Sequence, residues 1–227
     1  MASPVAAGIS DYPTEQFSAL EGAGVRHIFV RRIPGIDVSH DKSEALRRLD
    51  AAHRRVRESI GLGDRRFVTA EQVHGNKIAI VDAAPNADAQ MSGCDGLITN
   101  VPGVALGVYV ADCCAVYLVD PKVPAIGLVH SGRKGTELNI MGEAIEQMRA
   151  QFGTKASDLI VQLSPCIRPP HYENDFAAEI VRQARSRGVQ KIYDSGTCTA
   201  CDLDLYYSYR AAKGKTGRML AVLGLTK

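Results

Sequence analysis

The stretch that most limits what this chain can fold into is Gly107 to Gly135, GVYVADCCAVYLVDPKVPAIGLVHSGRKG. Two apolar runs of strand character flank a Cys-Cys pair, and the second ends in a histidine followed by a glycine-bracketed basic loop. Upstream, another histidine sits in Glu71-Gln72-Val73-His74-Gly75. Thiolate and imidazole are soft enough to hold zinc or copper tightly, and three protein ligands with an open fourth position form the catalytic pattern. His74, Cys113 and His130 can supply that set from three separate segments. Taken singly, a His or Cys at a strand end is more often a packed residue than a ligand, so both readings stand at this point. Asp112, just before Cys113, could hold a ligating histidine from behind or simply cap a turn. Cys114 points to the opposite side of an extended backbone and is expected in the core.

The flanking sequence reads as a mixture of strands and helices. Val25 to Arg32 has strand character, and Arg32-Ile33-Pro34-Gly35 then turns the chain. Lys42 to Ile60 carries Leu46, Leu49, Ala52, Val56 and Ile60 near helical spacing, and Gly61 and Gly63 stop it. Phe67–Val73 and Lys77–Asp82 are expected strands around a His74-Gly75-Asn76 turn, with Pro85–Ser92 a loop. Short strands follow at Asp95–Thr99, Val104–Val110, Val116–Asp120 and Ala125–His130. Helices are expected over Thr136–Phe152 and Phe176–Arg187, and strands over Leu159–Leu163, Ile192–Asp194 and Met219–Leu225. Strands outnumber helices and come in clusters, which favours an α+β, layered mixed α/β fold over a regularly alternating doubly wound sheet. With no repeat, linker or low-complexity tract, residues 1–227 are expected to form one domain, with 1–24 lying peripherally.

Composition excludes several function classes. A hydrophobic fraction of 45% and a charged fraction of 23% are ordinary for a soluble globular protein. The net charge of +2 gives no field that argues for nucleic acid or an anionic membrane. No apolar stretch approaches the roughly 20 residues of a bilayer span, and the N-terminus lacks the pattern of a signal peptide. A cytoplasmic location is expected. The six cysteines are too unevenly spaced for a disulfide framework. Cys198-Thr199-Ala200-Cys201 has two-residue spacing but no second such pair, so it reads as two half-buried cysteines in a turn. Ser131-Gly132-Arg133-Lys134-Gly135, between a strand and a helix, reads either as an anion site or as a tight turn with basic tips. Tyr206–Arg210 and Thr216-Gly217-Arg218 add aromatic and cationic groups near the C-terminus.

Together these motifs resemble the YfiH-type, or laccase-domain, family: Gln72-Val73-His74-Gly75, Ala111-Asp112-Cys113, His130 to Gly135, Cys198-Thr199, Tyr206 to Arg210 and Thr216 to Arg218, in order along nearly the whole chain. The resemblance implies a single layered α/β sandwich with helices packed outside. It also implies one zinc, rather than copper, held by His74, Cys113 and His130. The implied activity is phosphorolysis of adenosine, inosine, guanosine and methylthioadenosine, with adenosine deamination as a side activity. The partners would be a purine nucleoside and phosphate, with no nucleic acid or membrane, in a monomer or weak homodimer. Arg32, Lys134 and Cys113 are the expected catalytic residues, with Arg210 a further cation and Glu71 or Glu173 the candidates for proton transfer. The chain departs from the family where Arg133-Lys134 replaces Trp-Arg and Ser164-Pro165 replaces Gly-Pro. The stretch between Glu173 and Gly188 is also short. Six histidines are too few for a multicopper set in one chain. Two alternatives remain: a metal-free cysteine hydrolase using Cys113 and His130, and a zinc-binding protein without catalysis.

Overall fold

The structure, a computed structural model, describes residues 12–226. In chain order its elements are β1 (Thr14–Glu15), β2 (Val25–Val30), α1 (Lys42–Ser59), β3 (Arg66–Ala70), β4 (Ile78–Ile80), β5 (Ala89–Met91), β6 (Gly96–Thr99), β7 (Val104–Val110) and β8 (Cys114–Asp120). They continue with β9 (Ala125–Ser131), α2 (Arg133–Glu137), α3 (Ile140–Phe152), β10 (Ile160–Leu163), α4 (Phe176–Ser186), β11 (Lys191–Asp194) and β12 (Met219–Leu225). Two mixed sheets result, ordered β1-β2-β12-β7-β3-β5 and β11-β10-β8-β9-β6-β4.

Alternation along the strands decides which face each residue covers. On β8, Ala115, Tyr117 and Val119 join the core shared with the first sheet, whereas Cys114, Val116 and Leu118 face the helical side with Met141, Met148 and Ile180. Tyr117 reaches between the sheets and donates its hydroxyl to the Ile28 carbonyl at 2.9 Å. Outside the first sheet lies α1, with Arg57 over the Phe67 ring and His53 against Tyr109. Gly107 makes room there, because a Cβ at that position would stand 2.2 Å from the Phe67 ring. Helices α3 and α4 cover the second sheet, so the layering is helix, sheet, sheet, helix.

Helix α1 follows directly from its sequence. Asp41 caps it by accepting from the Ser43 and Glu44 N–H groups. Leu49, Ala52 and Val56 are buried on one stripe, each large apolar side chain contributing roughly 1.5–3 kcal/mol. Gly61, at φ +71°, ends it.

Several expectations are corrected. The N-terminal segment is not wholly peripheral: residues 1–11 lie outside the described region, but Thr14–Glu15 pairs with β2, and Phe17 and Leu20 are buried in the core. The Pro85–Ser92 loop contains β5, which pairs in parallel with β3. Strand β3 stops at Ala70, because Gln72 and His74 adopt positive φ. The helix expected from Thr136 begins at Arg133 and breaks at Asn139, whose φ of 59° is left-handed.

Two buried histidines make the fold acid-sensitive. His27 accepts the Phe17 N–H at 2.8 Å, which only an unprotonated ring nitrogen can do. His53 is on the buried face of α1, and neither ring nitrogen has a hydrogen-bond partner among the described residues. Burial lowers both from 6.5 to about 4. Above pH 6.5 folded and unfolded chains are both neutral here, so this stability is fully present. As pH falls from 6.5 towards 4 only the unfolded chain takes up protons, and each histidine forfeits at most about 3 kcal/mol. Urea unfolding at pH 7 and pH 4.5 should show that loss, and His53→Leu should reduce it without lowering stability at pH 7.

Candidate functional site

His74, Cys113 and His130 come together. One nitrogen of each imidazole and the Cys113 sulfur all lie within 4.8 Å of one another. The two rings stand edge to face with centroids 4.9 Å apart. His74 comes from the irregular segment after β3, Cys113 from the turn where the chain passes from β7 in the first sheet to β8 in the second, and His130 from β9.

The residue that assembles them is Asp95, immediately before β6. Its carboxylate accepts the His74 N–H at 2.8 Å and the Gly75 N–H at 2.7 Å. It also lies 2.9 Å from His130 Nδ1, while the Asp95 carbonyl accepts the His130 N–H at 2.7 Å. Nδ1 is thereby turned away from the cluster, leaving Nε2 for it, as a histidine ligand held from behind requires. Sequence reasoning offered Asp112 for that task, which is corrected here. Asp112 instead accepts from Thr199 Oγ1 at 2.8 Å, Ser208 Oγ at 3.0 Å and the Arg210 N–H at 2.7 Å, tying the C-terminal loops to the Cys113 turn.

The backbone around the cluster is strained. Gln72, His74 and Asp112 all have φ between 63° and 83°, where a side chain costs on the order of 1–3 kcal/mol. Paired hydrogen bonds between the Gln72 amide and the Tyr109 backbone hold the first of these. The glycine bracket of the basic loop is a matter of space. A Cβ on Gly132 would stand 2.5 Å from the Cys113 sulfur, and one on Gly135 would stand 3.1 Å from the Gly75 carbonyl oxygen.

Electrostatics couple the thiol to the imidazoles. Burial pushes the Cys113 thiol up, but the charge of His130 and hydrogen bonds from His130 and His74 outweigh it and bring it from 9.0 down to about 6. Burial works against His130 in the same way, yet Cys113 and Asp95 raise it from 6.5 to about 9. Two imidazoles and an easily ionised thiol, one imidazole fixed by a buried carboxylate, fit a soft divalent metal.

The cluster opens into a cleft of about 550 Å³. Five cationic side chains line it: Lys42, Arg133, Lys134, Arg210 and Arg218. Tyr109, Tyr172, Phe176 and Tyr209 supply aromatic faces. Arg133 and Arg210 share the Glu173 carboxylate at 3.9 and 3.1 Å. Arg218 is buried, with its guanidinium on the Thr216 and Gly217 carbonyls, and burial is the chief cause that pulls its pKa below the usual arginine range. Lys42 is lowered by burial and then by Arg218, so two cations face one cleft. Arg32 is not among the lining residues; it lies over the Tyr207 ring, 5.1 Å from its centroid. Sequence reasoning missed Lys42, which reads as an ordinary helix start, and Asp95, which stands 21 residues from His74 and 35 from His130. Glu71 accepts the Gly93 N–H at 2.6 Å.

Known proteins resemble this chain in sequence and fold. The family model described as multi-copper polyphenol oxidoreductase laccase matches residues 30–184 and 173–226. The chain belongs to that family. A Corynebacterium glutamicum protein named purine nucleoside phosphorylase is 30% identical over 237 residues, covering 89% of this chain and 95% of that protein. A Deinococcus radiodurans protein of the same name is 30% identical over 236 residues, covering 89% and 90%. Among solved structures, YlmD from Geobacillus stearothermophilus superposes with a TM-score of 0.81 at 26% identity, covering 93% of this chain and 94% of that one. The Bacillus licheniformis protein YfiH shares the fold, with a TM-score of 0.78 at 22% identity over 90% and 94% of the two chains.

The coupling between Cys113 and its histidines is directly measurable. In chelator-treated protein the thiolate fraction should rise with pH around a midpoint near 6, so carbamidomethylation by iodoacetamide, followed by peptide mass mapping, should titrate there. His130→Ala should move that midpoint upward by removing the charge that favours the thiolate.

Proposed function

We propose that this chain is a zinc-dependent purine nucleoside phosphorylase in which His74, Cys113 and His130 hold one zinc. The observation that carries the reading is the His–Cys–His cluster at a cleft lined by five cations and several aromatic rings. The relatives named purine nucleoside phosphorylase supply the substrate class. Adenosine, inosine, guanosine and methylthioadenosine are the proposed substrates. When bound, the metal supplies a Lewis acid that polarises an oxygen of substrate or phosphate.

The other tasks fall to the chain's own side chains. Lys134 and Arg133, at the start of α2, together with Lys42 and the buried Arg218, bind and orient the phosphate dianion. Burial strengthens that attraction at Arg218. Phosphorolysis forms a bond from a phosphate oxygen to C1′ while the C1′–N bond breaks, its electron pair leaving with the base, which then takes a proton. Tyr109, Tyr172 and Tyr209 offer flat apolar faces for a purine. Arg32 is assigned no contact with substrate, because it stacks on Tyr207 away from the cleft lining. Deamination ranks below phosphorolysis: Glu71 is engaged with the Gly93 N–H, and Glu173 with Arg133 and Arg210. The donor set also gives no support to multicopper oxidation. His40 pairs with Asp37, His27 and His53 are core residues, and only His74 and His130 join this cluster.

One geometric feature favours a second reading. Cys113, His130 and Asp95 are connected in the order nucleophile, base and orienting carboxylate, the arrangement of a cysteine hydrolase that needs no metal.

Incubation with adenosine and inosine, with and without phosphate, separates the two. Phosphate-dependent release of free base and ribose 1-phosphate, lost on zinc removal and regained on its return, is the expected result. Phosphate-independent turnover that persists without metal and stops on alkylation of Cys113 would replace it with the hydrolase reading, and no nucleoside turnover would refute the phosphorylase and favour a zinc-binding protein without catalysis. Lys134→Met should raise KM for phosphate roughly tenfold or more with the fold intact, the scale of one hydrogen bond to a charged group.

A further inference from the structure

A second cluster of metal-ligating side chains lies outside the site described above. The ligand atoms of His171, Cys198 and Cys201 also fall within 4.8 Å of one another. His171 Nδ1 is 3.7 Å from the Cys198 sulfur and 3.5 Å from the Cys201 sulfur. One imidazole nitrogen carries either one hydrogen or one lone pair, so two thiols that hydrogen-bond to it must share it. Two sulfurs converging on it are accounted for by an atom at the centre. A zinc bound at about 2.3 Å by sulfur and about 2.0 Å by nitrogen, at tetrahedral angles, sets sulfur–nitrogen separations of about 3.5 Å. Both observed separations match that geometry.

We propose that His171, Cys198 and Cys201 form a second, structural zinc site, with solvent in the fourth position. Two thiolates and a neutral imidazole would neutralise the ion. The two-residue spacing of Cys198 and Cys201 supports no site by itself, and it is His171, 27 residues before Cys198, that completes the set. The cysteine turn is already anchored: the Cys166 N–H donates to the Thr197 carbonyl and the Thr199 N–H to the Cys166 carbonyl, each at 3.2 Å.

The site has a clear mechanical consequence. His171 adjoins Tyr172 and Glu173, which meet Arg210: the guanidinium lies 4.8 Å from the Tyr172 centroid and 3.1 Å from the Glu173 carboxylate. Cys201 leads into the segment that carries Tyr209 and Arg210. A zinc here fastens one wall of the cleft at its base. The inference does not rest on zinc at His74, Cys113 and His130.

Zinc content of protein purified under reducing conditions, measured for four forms, tests it. Expected values are two zinc per chain for the wild type, one for Cys201→Ser, one for Cys113→Ser and none for the double variant. Cys201 is exposed, so its substitution leaves the fold standing, which far-UV circular dichroism checks. If the first site is the one that is wrong, Cys113→Ser leaves the content unchanged while Cys201→Ser takes it to zero. The second site is overturned if Cys201→Ser binds as much zinc as the wild type. Cobalt substitution of Cys113→Ser gives an independent readout: a thiolate-to-cobalt charge-transfer band that disappears in the double variant supports the site, and its absence from Cys113→Ser overturns it.

Discussion

The site depends on one buried carboxylate. Asp95 is fully buried, and unpaired it would be among the costliest groups in the molecule. It is stable because it accepts two backbone N–H groups from the His74 turn and faces the His130 ring. The same three contacts place both histidines. A single interaction therefore solves an electrostatic problem and builds a ligand set, and it explains why His74 can be held at a φ its side chain disfavours.

Asp112 plays the matching part on the other side of Cys113. Where Asp95 gathers the segments that carry the histidines, Asp112 gathers Thr199, Ser208 and the Arg210 backbone. The loops that bring Tyr209 and Arg210 to the cleft are thus hydrogen-bonded to the residue next to the thiol. Gln72, bonded at both ends of its amide to Tyr109, joins the His74 segment to β7. The geometry of the cluster rests on side chains that bond to backbone, which is how irregular segments are held as firmly as strands.

Much of this was legible in the sequence where local pattern dominates. The apolar runs of β7, β8, β9 and β12 and the stripe of α1 carry their own periodicity, and Cys114 fell in the core as alternation requires. The three candidate ligands were legible as residue types at strand ends. What escaped is set by distant contacts. Strand β5 is an edge strand of three residues that exists through β3, and the break at Asn139 leaves no signal in an otherwise helical pattern. Asp95, Lys42 and His171 stand beside their neighbours because the fold brings them there, and nothing next to them in sequence says so. Arg32 shows the converse, since a motif-like position stacks instead on an aromatic ring.

The placement of Cys113 has a further meaning. It sits where the chain leaves the first sheet for the second, with His74 coming from a segment that follows the first sheet and His130 from within the second. An ion gripped by all three is a rivet through both layers of the sandwich, set at the end where they open onto the cleft. Holding it would tie occupancy to the cohesion of the two sheets, through the three segments that carry His74, Cys113 and His130.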